Sequence, residues 1–82
     1  MKNSTIENYL NDLIFILKEN ALKAVKEKNK LSEENEKDYS YSLGYLMAYH
    51  EVISLFQQQA IAFGISLESL RLHDIDPGND LL

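Results

Sequence analysis

Residues 39–67 read YSYSLGYLMAYHEVISLFQQQAIAFGISL, 29 positions with one formal charge, Glu51. A helix on the surface of a small monomer needs a charged outer face. This segment barely has one. Ser42, Leu46, Tyr49, Ile53, Phe56, Ala60 and Phe63 alternate four and three residues apart, a heptad-like seam that Tyr45 and Val52 widen. At ~100° per residue, Gly44, Ala48, Glu51, Leu55 and Ala62 fall on the opposite side. Leu43, Met47 and Ile61 occupy a third sector with His50, Ser54 and Gln57. No sector is cleanly polar, which predicts a helix covered on several sides.

The helix has legible ends. Gly64 suits a left-handed residue just past the last turn, with Ile65 as the apolar residue of a Schellman ending. Upstream, Ser32 can cap the helix, with Glu33, Glu34 and Glu36 at its positive end. The predicted span is about 33–63.

Working further upstream, Ile6, Leu10, Leu13, Leu17, Ala21, Ala24 and Lys28 recur every three or four residues and define one face of an earlier helix. Tyr9 and Ile16 flank it on one side, Ile14 and Val25 on the other. Ser4-Thr5-Ile6-Glu7 matches a capping box, and lysines fill the last turns. This helix is predicted over about 5–29. A link near Asn29–Ser32 makes the two helices antiparallel neighbours.

Downstream, Ser66 to Leu72 reads as a short helix over about 67–72. Asp76-Pro77-Gly78-Asn79 reads as a turn within an acidic tail, 73–82. The predicted class is all-α: one helical domain over 1–82, a two-helix hairpin with a short C-terminal helix, pairing into a dimeric four-helix bundle. Phe15 and Leu22 point away from the first helix's main face, and a lone hairpin has no second layer to cover them. The expected interface comprises Phe15, Leu22, Tyr41, Gly44, Met47, Ala48 and Leu55. Ser40, Gly44 and Ala48 form a shallow groove, and close approach of another helix explains a mid-helix glycine that costs about 1 kcal/mol. Tyr39, Tyr41, Tyr45 and Tyr49 cluster, Tyr45 and Tyr49 as core and at least one of the others at the surface. Alternatively, the leucine-rich tail folds back over part of the exposed face, although it is too short to cover the whole helix.

Composition bounds the function. An 82-residue chain supports only a marginal core, and oligomerisation is one remedy. The chain has no cysteine, which fits a reducing, cytoplasmic compartment and leaves no disulfide or thiolate site. A net charge of −5 disfavours nucleic acid. No apolar run is long enough for a membrane span. His50-Glu51 lacks the second histidine of a zinc helix, and Asp74 to Asp80 lacks the spacing of a calcium loop. No nucleophile elbow or phosphate-cradling loop is present. The expectation is a non-catalytic interaction protein without cofactor or metal, partnered by itself or by another protein and by no nucleic acid or membrane, with apolar residues of the second helix and the acidic tail as its recognition surface. A second reading is an inhibitor or immunity-type protein whose Asp74, Asp76 and Asp80 meet a basic target. A third, weaker one is a small-molecule or metal-binding bundle built on His50, Glu51 and the tyrosines.

Overall fold

A computed structural model describes residues 3–30 and 36–81. Two long helices, α1 (Asn3–Lys30) and α2 (Glu36–Ala62), pack side by side, and a single turn of helix, α3 (Pro77–Asp80), follows. The described residues contain no strand. The molecule measures 51 × 21 × 16 Å, with a radius of gyration of 14.8 Å. A compact chain of this length would have a radius near 12 Å. The elongation follows from helices that rise 1.5 Å per residue, about 40 Å for α2.

α1 begins earlier than its capping box implies. Ser4 lies inside the helix, because helical geometry already starts at Asn3. The predicted link's Leu31 and the cap residues Ser32, Glu33 and Glu34 lie outside the described residues.

The α2 ending follows its sequence signal. Gly64 adopts φ 70°. The Ile65 amide donates to the Ala60 carbonyl at 2.8 Å, and the Gly64 amide to that of Ile61 at 3.1 Å. These two bonds are the Schellman pair.

The hairpin core is narrower than its sequence faces. Leu46, Ile53 and Ala60 are buried on α2, while Tyr49 and Phe56 pack against them half-buried. Phe63 lies past the helix end and is 76% exposed. Tyr45 and Val52, expected to widen the seam, are exposed. On α1 the buried residues are Ile14, Ala21 and Ala24. Ile14 therefore sits at the centre of the face rather than on its flank, and Ile6 is exposed.

The reason for this rotation is the C-terminal segment, which folds back onto the hairpin. Leu72, Ile75 and Leu81 join the same buried cluster as Ile14, Leu46 and Ile53. Each such side chain contributes about 1.5–3 kcal/mol on burial. The predicted helix over 67–72 is instead a run of turns. Amides of Ser69, Leu70 and Arg71 donate to carbonyls three residues back, and the Leu72 amide closes onto Leu67 at 2.8 Å. Arg71 takes φ 57° at the position where Gly64 ends α2. A second Schellman ending thus stops the segment after one turn, before a helix can form. The residues read as a plain turn, Asp76–Asn79, are instead the N-cap and first three residues of α3.

Candidate functional site

Ile53 divides α2 into two flanks. Val52 lies about 100° to one side of it, and Ser54 about 100° to the other. The tail occupies the Ser54 flank. There the Gln57 side-chain amide donates to the carbonyls of Leu72 (3.0 Å) and Ile75 (2.8 Å). On α1 the same face carries Lys18, whose ammonium donates to the Arg71 carbonyl and to Asp74. Phe15 lines a shallow groove there with Asn8, Asn11, Asp12 and Arg71. Asn11 Oδ1 is buried in this region without a hydrogen-bond partner.

The tail aspartates are engaged within the chain. Asp74 pairs with Lys18, which holds its carboxyl below the ordinary range, chiefly through the hydrogen bond. Asp76 is the N-cap of α3, accepting from the Gly78 amide (3.2 Å) and the Asn79 side chain (2.7 Å). Asp80 reaches back to accept from the Asp76 amide at 2.8 Å. The last two form a reciprocal cap.

The Val52 flank is uncovered. Spacings of four and three connect Tyr41, Tyr45, Ala48, Val52 and Leu55, all exposed. Tyr41 and Tyr45 stack with ring centroids 6.2 Å apart, and Tyr45 meets Tyr49 edge-on at 5.3 Å. The Tyr45 hydroxyl and burial push the Tyr49 phenol above its ordinary pKa, with Asn20 of α1 acting in the opposite direction. The three tyrosines, Ser42, Asn20, Lys23, Ala24 and Glu27 line a groove of about 530 Å³. Both helices therefore border one open face. On α1 it continues through half-buried Leu13 to exposed Ile16, Tyr9 and Ile6, and at the end of α2 it reaches Phe63.

The residues singled out from sequence do not form one surface. Tyr41, Ala48 and Leu55 share the exposed α2 seam, with Gly44 beside them. A Cβ built on Gly44 meets nothing within 4 Å, so no contact inside the chain requires glycine there. Met47 lies on the tail flank of α2 and Phe15 and Leu22 on the tail flank of α1, all three exposed. Sequence reasoning missed Ile6, Tyr9, Ile16, Val52 and Phe63. The readable signal was the second four-and-three series beginning at Tyr41, masked by assigning Tyr45 and Val52 to the hairpin seam.

Half-buried His50 and exposed Glu51 border a separate shallow pocket with Val52, Ser54, Leu55 and Gln58. Among the described residues, no group of three or more His, Cys, Asp or Glu side chains is placed to hold a metal ion. Among them, no helix is long and apolar enough to cross a membrane. No protein-family model matches the chain, and neither a curated protein nor a solved structure matches it.

Proposed function

We propose that the protein is a non-catalytic interaction module that works as a homo-oligomeric helical bundle in the cytoplasm. The observation that carries this reading is the open face, where large apolar side chains from both helices stay in water on the side the tail leaves free. A compact monomer of 9.5 kDa exposes about 5,000 Å². This chain exposes 6134 Å². The excess, on the order of 1,000 Å², is spread over an elongated hairpin and leaves room for the roughly 800 Å² that each partner contributes to a specific interface. Hairpin against hairpin gives the second layer that a two-helix unit lacks. The tail carboxylates hold the protomer's own fold in this reading, rather than a basic target.

Light scattering after size exclusion, at tens of micromolar protein, tests it. A mass of about twice 9.5 kDa is expected. A stable monomer at that concentration overturns the proposal.

A further inference from the structure

The open face has two unlike ends. At one end, Phe63 is 76% and Tyr9 67% exposed, with Ile6 beside them. These side chains project as knobs. At the other end lies the tyrosine groove of about 530 Å³, bordered by Lys23 and Glu27 of α1. Asn20 of α1 and Tyr49 of α2 line the same groove, which fixes the register of the two antiparallel helices. It places Ile16 beside Val52, midway along the face. Tyr41 and Phe63 each lie eleven residues from Val52, one on either side. That is about 16 Å in each direction along the helix axis.

We infer that the occupant of this face is a second copy of the chain, docked antiparallel about a two-fold axis at Val52 and Ile16. The inference rests on the oligomeric reading above and specifies its geometry. An axis lying in the face and running across the helices through Val52 and Ile16 carries the Phe63 end of each copy onto the Tyr41 end of the other. Knobs then meet grooves twice over, as a closed two-fold contact demands. An axis parallel to the helices would set Phe63 against Phe63 and leave both grooves empty. The antiparallel arrangement also centres the contact on apolar residues and moves Lys23 and Glu27 to its rim, where charges remain hydrated. Buried aromatic anchors at both ends are the side chains that dominate such interfaces.

The chain has no cysteine, so introduced thiols report without background. Val52→Cys, Ile16→Cys, Tyr41→Cys, Phe63→Cys and Gly44→Cys all lie at exposed positions, and circular dichroism checks that each variant keeps its helicity. A short bismaleimide spans the roughly 8–10 Å between packed helices. Val52→Cys and Ile16→Cys are each expected to cross-link to themselves. Phe63→Cys should link to Tyr41→Cys in a mixture and not to itself. Self-linking of Phe63→Cys, or linking of Gly44→Cys without either central position, overturns the antiparallel geometry. If light scattering still reports a dimer in that case, association stands and only the docking mode fails. A monomer defeats both.

Discussion

The side-chain amide of Gln57 donates to the carbonyl oxygen of Ile75 at 2.8 Å, across eighteen residues of sequence, and a second bond joins it to Leu72. One α2 side chain thereby serves two carbonyls of a segment that has no ladder of its own. Backbone groups leaving water need such partners.

Replacing Gln57 should therefore loosen the tail while leaving the hairpin helical. Gln57→Ala abandons two part-buried acceptors and should cost about 1–3 kcal/mol. Urea denaturation reads the loss. Limited proteolysis should show earlier cleavage between Gly64 and Ile75, with far-ultraviolet circular dichroism nearly unchanged.

Acid should act on the tail through Asp74. Lys18 holds the Asp74 anion, so its carboxyl ionises at lower pH in the folded chain than in the unfolded one. The pair's contribution is complete above the ordinary carboxylate range, near pH 4, and is lost as pH falls through the lowered folded value. Asp74 is 58% exposed on its side chain, so the effect is at most about 1 kcal/mol. Asp74→Asn should flatten this part of the stability curve below pH 5 and leave the rest in place. High salt should shrink the difference.

Arg71 holds a left-handed backbone at φ 57°. A residue with a Cβ pays about 1 kcal/mol there, and glycine does not. The bond from Lys18 goes to the Arg71 carbonyl, which survives the change. Arg71→Gly should consequently raise stability by about 0.5–1 kcal/mol, read as a melting temperature a few degrees higher.

Asn11 buries a side-chain oxygen that nothing hydrogen-bonds. Asn11→Leu removes that group and adds apolar volume beside the core. A gain of about 1 kcal/mol is expected, a rise of roughly 4–8 °C for a domain of this size. A drop in melting temperature would show that the amide has a structural partner.

The hairpin was legible because its signals are local. Three-and-four spacing on α1 and α2, and the Gly64-Ile65 pair, each act within a turn or two. The tail was not, since its determinants lie far apart in sequence. Nothing near Leu72 announces that Gln57 will receive it, or that Lys18 will meet Asp74 over 56 residues. Arg71 carries no glycine to mark its left-handed turn, so Leu67–Leu72 read as helix. That docking also decided which α1 residues became core. Ile14 moved to the centre because Leu72, Ile75 and Leu81 needed a floor. With the tail on the Gln57 side, the uncovered surface shifted to Tyr45 and Val52, two residues assigned to the hairpin seam. Phe15, Leu22 and Met47, expected at an interface, lie on the flank the tail only partly covers.

The tail and the open face lie on opposite sides of a hairpin one helix thick. A pair of chains joined through the open face therefore carries both tails outward, facing away from each other and running in opposite directions. Any surface formed by Arg71, Phe15 and the α3 turn is then presented twice. Two weak contacts on one rigid body can act together through a raised effective concentration. The assembly would be bivalent without any repeat in its sequence.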